Sequence, residues 1–458
     1  MSSDLPFLFA FSVTLLGIIF FAWGGKVRAQ NSDDFSLGGR KAGSWNVSGA
    51  ITGTLVGGAS TIGTVQLAFL YGLSAWWFTL GAGIACLFLG LFLAVPLRQS
   101  NVETIPQFIS HYYGERARVA ASLFTAVGMF IQIIAQLLAC GAILAVLFDL
   151  PLLWSALIST LLVIMFTLGG GMKSAGLTGL LKMTLIYLTM LSSGWLALQQ
   201  AGGWQELREN FDTFPWFSLF GYGVKEGVSD LLSMLVGVIS TQTYLQAIFS
   251  ASSENNARRG AFYCAILIPP LGLLGVLVGL YMRQTFPGLD SALALPTFIS
   301  LKFSTVFSGI AFAALLIAAV GTASGLALGV ATTLKVDILK SCFPEDMKRL
   351  LYFRGLTALV VLLAFSLLLF NLGSAIMDWS FLSMGLRGST ICFPLLFTVF
   401  FPRFNLRKSG ALAIIVAPIC VIGAGITSFD LLSPLYLGLG CSLALLLAGV
   451  LARIKAFN

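Results

Sequence analysis

The feature that most constrains this chain is a series of apolar runs, each long enough to cross a lipid bilayer. A hydrocarbon core about 30 Å thick requires roughly 20 apolar residues of α-helix. Only 10% of the residues are charged, against roughly 25% in soluble domains. The sequence therefore predicts an all-α polytopic membrane protein, a single domain over residues 1–458 with about 13 transmembrane helices. Their predicted limits are 5–25, 45–71, 74–97, 116–148, 152–170, 175–201, 226–250, 259–283, 305–335, 350–370, 372–400, 409–427 and 430–453.

Basic residues cluster in alternate loops between these helices, and all the clusters fall on one side when thirteen helices are threaded. The positive-inside rule then places the N-terminus outside and the C-terminus in the cytoplasm, in a bacterial-type plasma (inner) membrane. Because the clusters account for the net charge of +8, we expect no nucleic-acid partner. The first run lacks a positive n-region and a small-residue cleavage site, so it is predicted to be a retained helix. Examples of the clusters are Arg40 with Lys41, Arg98 with Arg116 and Arg118, and Arg403 with Arg407 and Lys408.

Residues suited to catalysis or metal binding are sparse. The seven cysteines are dispersed without a CxxC pair, and His111 is the only histidine, so we predict no disulfide, zinc site or haem. The predicted helices contain no cluster of acidic residues or histidine, which argues against a membrane enzyme. A passive channel remains an alternative, because pore rings formed by an oligomer do not show in one sequence. The expected partners are the bilayer and a small solute, and a monomer is compatible with the sequence.

Two predicted helices contain polar, glycine-rich stretches near their middle. The second run carries such a stretch over residues 53–64, and the seventh carries another over 237–246. Close helix packing uses small residues too, but a helix that breaks at mid-depth also favours this composition, because its free backbone groups can bind ions or solute. The two runs start five helices apart, which is the spacing of two five-helix units repeated with inverted topology.

Two charged residues, Lys182 and Arg387, lie inside predicted helices. A charge at this depth costs about 3 kcal/mol or more, so it generally faces a cavity, a partner or a substrate. The alternative is that the side chain extends to the membrane interface, which is easier for Lys182. Gln132 and Gln136, four residues apart on one helix face, either line the same cavity or form hydrogen bonds between helices.

Five segments follow one another along the chain: DDFSLGGRKAGSWNVSGAITGTLVGGAS, ETIPQFISHYYG, GGMKSAGLTGLLK, TQTYLQAIFSASSENNARRG and GTASGLALGVATTLKVDIL. Together they make the whole chain resemble the sodium/solute symporter family. The resemblance implies the inverted-repeat fold of the leucine transporter, with broken first and sixth core helices. It assigns one extra helix over 5–25, a first repeat over 45–201, a second repeat over 226–400 and two C-terminal helices over 409–453.

The same resemblance implies a sodium site, which this sequence preserves only in part. A glycine, Gly321, stands where a serine hydroxyl is usual, the family's aspartate falls on Gly179, and its glutamine falls on Lys182. In one interpretation sodium still binds and drives symport. In the other, Lys182 replaces the ion, and transport is proton-coupled or sodium-independent. We predict sodium symport, with sodium as the only expected ion and no other cofactor. The implied sodium ligands are Ala59, Ile62, Ala318, Gly321 and Thr322.

By family position, the solute is expected near the middle of the membrane, between the broken helices. Arg387 favours a carboxylate-bearing solute, because a guanidinium group binds a carboxylate through two parallel hydrogen bonds. The predicted function is therefore secondary active transport, by alternating access, of an amino acid, organic acid or sugar, with a carboxylate favoured. The predicted solute-binding residues are Thr61, Gln66, Gln132, Gln136, Thr241, Gln242, Tyr244 and Arg387.

Overall fold

The computed structural model describes residues 4–24, 37–169, 172–339, 350–370, 376–426 and 433–457. Throughout these ranges the chain is helical and contains no β-strand, apart from one isolated bridge between Ala42 and Ala251. The predicted helix limits at residues 25, 170, 372, 427 and 430 lie outside the described residues. The prediction of an all-α membrane protein is confirmed.

In the first half of the chain, the described residues form eleven α-helices. In chain order they are α1 (Leu5–Gly24), α2 (Ser44–Leu55), α3 (Thr64–Tyr71), α4 (Trp77–Phe88), α5 (Ala94–Gln99), α6 (Ile105–Tyr113), α7 (Glu115–Phe148), α8 (Leu152–Gly169), α9 (Met172–Gln200), α10 (Gly203–Glu209) and α11 (Thr213–Trp216). A π-helical turn over Ala59–Gly63 leads into α3, and another over Leu89–Leu93 joins α4 to α5. In the inverted-repeat fold, core helices 1 to 5 correspond to α2–α3, α4–α5, α7, α8 and α9.

The second half repeats this order of elements. Its helices are α12 (Val224–Val238), α13 (Gln242–Phe249), α14 (Glu254–Leu267), α15 (Pro269–Thr285), α16 (Ala294–Lys302), α17 (Thr305–Thr333), α18 (Leu350–Leu368), α19 (Ile376–Phe400), α20 (Arg407–Ile426) and α21 (Pro434–Phe457). A π-helical turn over Leu334–Leu339 extends α17. Core helices 6 to 10 correspond to α12–α13, α14–α15, α17, α18 and α19.

Within the described ranges, nine helical stretches are long and apolar enough to cross a membrane. The number is ten when α12 and α13, which are bent by 41° at their junction, count as one span. Parts of α1 and α8 are apolar but shorter. The predicted number of thirteen therefore remains a prediction, because broken and short helices do not each pass a length criterion.

The first core helix breaks next to Gly57, where side chains of α7 and α17 lie close to its backbone. Helix α2 ends at Val56, whose backbone is extended (φ −84°, ψ 99°). At Gly57, a Cβ atom would lie 2.5 Å from both Gln136 Oε1 and Thr322 Oγ1. Only glycine permits this approach of α7 and α17 to the backbone. The sixth core helix breaks at Thr241, which is also extended (φ −91°, ψ 118°). Both predicted breaks are therefore present.

Candidate functional site

Lys182 of α9 places its ammonium group at the break in the first core helix. The side chain is only 3% exposed. Its Nζ donates to the carbonyl oxygen of Gly53 at 2.6 Å and to Thr322 Oγ1 at 2.9 Å. One ammonium group thus connects α9, the fifth core helix, to α2 of the first core helix and to α17, the eighth.

Close packing of α9 on α2 brings the lysine to this place. At Gly179 a Cβ atom would lie 1.9 Å from the carbonyl oxygen of Gly49. Any larger residue at position 179, including the aspartate usual in the family that the sequence resembles, would clash with this backbone. Because Lys182 follows Gly179 by three residues, nearly one helical turn, its side chain extends along the same helix face towards the break.

The oxygen atoms around Lys182 resemble the coordination shell of a small cation. Thr322 Oγ1 lies 3.3 Å from the carbonyl oxygen of Val56 and 3.5 Å from that of Gly53. A Cβ atom at Gly321 would lie 3.7 Å from Lys182 Nζ, so the position that lacks the usual serine hydroxyl faces the ammonium group. These oxygens suit sodium, but a protonated Lys182 within 3 Å of two of them repels any second cation.

Two carbonyl groups that are not among the implied sodium ligands lie at Thr322. Gly53 and Val56, three residues apart, face Thr322. The carbonyl oxygen of Ala59 instead accepts a hydrogen bond from Thr64 Oγ1 at 3.3 Å. Of the other implied sodium ligands, Gly321 and Thr322 lie at Lys182, whereas the side chains of Ile62 and Ala318 are fully buried.

Arg387 of α19 lies at the other break and is fully buried, with 0% of its surface exposed. Its Nη1 donates to Thr241 Oγ1 at 2.8 Å. Its Nε and Nη2 donate to Ser383 O at 3.0 Å and Ser383 Oγ at 2.9 Å, and Nη2 lies 3.1 Å from Met384 Sδ. Gly128 of α7 leaves room for the side chain, since a Cβ atom there would lie 2.4 Å from Arg387 Cγ.

All four acceptor atoms around Arg387 are electrically neutral. Across the described part of the chain, the ion pairs join Arg118 to Glu115 and to Asp337, and neither involves Arg387 or Lys182. A buried guanidinium held only by neutral groups is an unbalanced positive charge, which an anion would balance.

Three glutamines predicted to bind solute line the interior between α3, α7 and α19. Gln66 Oε1 accepts from the backbone N–H of Ile376 at 3.3 Å, and Gln136 Oε1 accepts from that of Gly58 at 2.8 Å. Gln132 Nε2 donates to Ser380 Oγ at 2.9 Å. These contacts connect Gln136 to the first break, and Gln66 and Gln132 to the start of α19.

The remaining predicted solute-binding residues differ in their surroundings. Thr61 donates to the carbonyl oxygen of Gly57 at 2.9 Å, and Tyr244 is buried. Gln242 is committed elsewhere: its Oε1 accepts from the N–H of Ile105, and its Nε2 donates to the carbonyl oxygen of Glu103, both at 2.9 Å. Its amide therefore connects α13 to the start of α6 through one donor and one acceptor.

Sequence reasoning did not select Ser380 and Ser383, which contact Gln132 and Arg387. A signal for them exists, because residues 380, 383 and 387 repeat at intervals of three and four and so share one face of α19. Gly53 belonged to the predicted polar stretch, but its carbonyl group was not singled out.

Two inverted five-helix units, with polar and charged side chains buried at both broken helices, define a secondary transporter of the leucine-transporter type. The chain belongs to the sodium:solute symporter family, whose model matches residues 35–418. A sodium-coupled sialic acid symporter, solved in a substrate-bound outward-open state, superposes with a TM-score of 0.78 at 18% identity, covering 97% of this chain and 96% of that one. This likeness confirms the predicted fold.

Two curated relatives differ in what their names say they carry. The high affinity choline transporter 1 of Homo sapiens is 26% identical over 259 residues, which cover 54% of this chain and 44% of the human protein. A monocarboxylate transport permease of Rhizobium johnstonii is 27% identical over 365 residues, which cover 74% of this chain and 72% of that protein. The chain thus matches less than half the length of the human relative.

Proposed function

We propose that this protein transports a small carboxylate-bearing solute across the membrane by alternating access. The observation that carries the proposal is Arg387, a fully buried cation whose four acceptor atoms are all neutral. A carboxylate that binds there balances the charge and gains charge-assisted hydrogen bonds. The solute would lie between the two breaks, beside Thr61, Gln66, Gln132, Gln136, Thr241 and Tyr244.

The charges at the site also favour one of the two solutes named for the relatives over the other. Choline is a cation, and a cationic solute would meet Lys182 and Arg387 with no carboxylate paired to either within the described ranges. A monocarboxylate has the complementary charge. The surroundings of Arg387 therefore favour the chemistry named for the Rhizobium johnstonii relative over that named for the human one.

For the coupling mechanism, the geometry favours Lys182 as a built-in replacement for the coupling ion. Its ammonium lies among the oxygens of Gly53 and Thr322, the kind of oxygen ligands that a sodium ion would need. Transport would then be sodium-independent. Where it is active, it would be driven by protons that Lys182 binds and releases.

Sodium-coupled symport is the second candidate, and family membership supports it. In that case the ion would be held by oxygens near Thr322 after Lys182 has moved or lost its proton. We also propose a bacterial-type inner membrane, with the N-terminus outside and the C-terminus in the cytoplasm, and a monomer as the transporting unit.

The test compares carboxylates with their neutral amides. Thermal unfolding of the purified protein would be followed with propionate or propionamide, and uptake of labelled carboxylates would be measured in proteoliposomes. We expect carboxylates alone to stabilise the wild type, and Arg387→Gln to weaken carboxylate binding roughly 30-fold or more, because truncating one partner of a buried charge pair costs 2 kcal/mol or more.

Two further variants make the result decisive. Arg387→Lys keeps the charge and should retain part of the affinity, whereas Arg283→Gln, which removes a guanidinium stacked near Phe69 and Trp216, should leave it unchanged. Equal binding of propionamide, or full carboxylate affinity in folded Arg387→Gln, would contradict the proposal.

A further inference from the structure

Gln132 has a buried amide oxygen that no described residue of the protein contacts through a hydrogen bond. The side chain is only 3% exposed, and Oε1 has no hydrogen-bond partner among the residues that the structure describes. A buried polar atom without a partner is uncommon in folded proteins and calls for an explanation. In a transporter, an absent solute is one such explanation.

The orientation of this amide is determined by its neighbour. Ser380 Oγ donates its hydrogen to the carbonyl oxygen of Ile376 at 3.2 Å, so towards Gln132 it can only accept. The nitrogen of Gln132 accordingly faces Ser380, at 2.9 Å. This leaves the amide oxygen, an acceptor, facing away from Ser380.

The free oxygen lies about one helical turn from Arg387. Gln132 follows Gly128 by four residues on α7, roughly 6 Å along the axis, and Gly128 is the residue against which Arg387 packs. On α19, Ser380 and Ser383 are likewise one turn apart, and Ser383 binds Arg387. The α7–α19 interface thus presents a cation at one level and a hydrogen-bond acceptor at the next.

We propose that Gln132 Oε1 selects solutes carrying a hydroxyl group close to their carboxylate, so that the substrate class is the short hydroxycarboxylates. The hydroxyl would donate to Gln132 while the carboxylate binds Arg387. An ammonium group could also donate, but it would be close to a buried cation with no acidic side chain paired to it in the described ranges. This inference rests on the proposed carboxylate function and specifies its substrate.

The experiment uses matched three-carbon acids: propionate, 2-hydroxypropionate, 3-hydroxypropionate and alanine. Their affinities would be measured by thermal shift and their uptake in proteoliposomes. We expect one of the hydroxy acids to bind at least about tenfold more tightly than propionate, because a site built to hydrogen-bond a hydroxyl rejects the analogue that lacks it. Tighter binding of alanine than of both hydroxy acids would overturn the hydroxyl assignment.

The variant Gln132→Met keeps the size of the side chain but removes the acceptor. It should reduce hydroxy-acid affinity to that of propionate and so abolish the discrimination between them, a selective loss that general misfolding would not produce. As a control, Gln200→Met removes a glutamine whose Oε1 accepts from Tyr281, and it should preserve the discrimination.

The outcomes distinguish a failure of the role of Gln132 from a failure of the proposed carboxylate transport. Equal binding of propionate and both hydroxy acids by the wild type, or unchanged discrimination in Gln132→Met, would refute the role of Gln132 and leave the carboxylate proposal standing. If none of the four acids binds while neutral solutes do, the proposed function itself fails.

Discussion

Lys182 and Arg387 occupy corresponding places in the two halves of the inverted repeat. Lys182 extends from the fifth core helix to the break in the first and to the eighth. Arg387 extends from the tenth core helix to the break in the sixth and packs on the third. Core helices 1, 3 and 5 of the first repeat correspond to 6, 8 and 10 of the second. Each break is therefore contacted by a buried cation from the last helix of its own repeat.

The two cations differ in what holds them. Both hydrogen bonds of Lys182 go to other helices, so its ammonium ties three helices together. Arg387 is held mainly by Ser383 and Met384 of its own helix and reaches outside it only to Thr241. We therefore infer that Lys182 acts on the arrangement of helices, as a coupling ion would, whereas Arg387 is positioned to exchange a partner for solute.

The largest expected effect comes from adding a methyl group on the Lys182 side. Gly179→Ala places a Cβ atom 1.9 Å from a backbone oxygen that cannot move aside, and we expect a loss of about 3 kcal/mol or more in unfolding free energy. The matched change Gly128→Ala meets a side-chain atom, Arg387 Cγ, at 2.4 Å, whereas the nearest backbone atom, Ser383 O, is 3.1 Å away. It should cost less stability but weaken carboxylate binding. Thermal unfolding with and without propionate measures the stability and the carboxylate binding of each variant. Equal destabilisation by Gly179→Ala and Gly128→Ala would contradict the expected difference between the two sites.

A smaller effect is expected from rebuilding an ion site. In the double variant Lys182→Gln with Gly321→Ser, the positive charge is removed and a hydroxyl is added where a Cβ atom has room, 3.7 Å or more from its neighbours. Sodium should then stabilise the protein against unfolding by about 2.7 kcal/mol at 100 times its dissociation constant, and potassium should not.

Gly321→Ser alone is the control for this gain of sodium binding. Because it retains the ammonium group, it should remain insensitive to sodium. Sodium stabilisation of this single variant, or of the wild type, would show that Lys182 does not exclude the ion.

The smallest effect on solute binding is expected at Gln242. Its amide binds Glu103 and Ile105, so Gln242→Leu should change solute affinity by less than about threefold while destabilising the fold by about 1–3 kcal/mol through unpaired backbone groups. Titration calorimetry with the preferred carboxylate measures the affinity. A larger loss in a folded variant would place Gln242 in contact with solute after all.

The helical membrane fold and both helix breaks could be predicted because they depend on local sequence. Apolar length determines which segments enter the bilayer, and the glycine-rich stretch around Gly57 cannot form an ordinary lipid-facing helix. The two buried cations could also be identified from the sequence, because a charged residue inside an apolar run stands out whichever way its side chain points.

The atoms that each cation contacts could not be predicted, because they depend on contacts between distant helices. Which carbonyl groups face Thr322 depends on how α7 and α17 pack against the break, where Gln136 and Thr322 approach Gly57. Gln242 adjoins Thr241 in sequence, yet its side chain reaches the start of α6. Neither contact leaves a local sequence pattern.

The most direct test of the account is the initial rate of carboxylate uptake into proteoliposomes, with external sodium replaced by potassium. If Lys182 takes the place of the coupling ion, the wild-type rate should be the same in both salts, and Lys182→Gln should lose uptake in both. Wild-type uptake that requires an inward sodium gradient would contradict this role of Lys182.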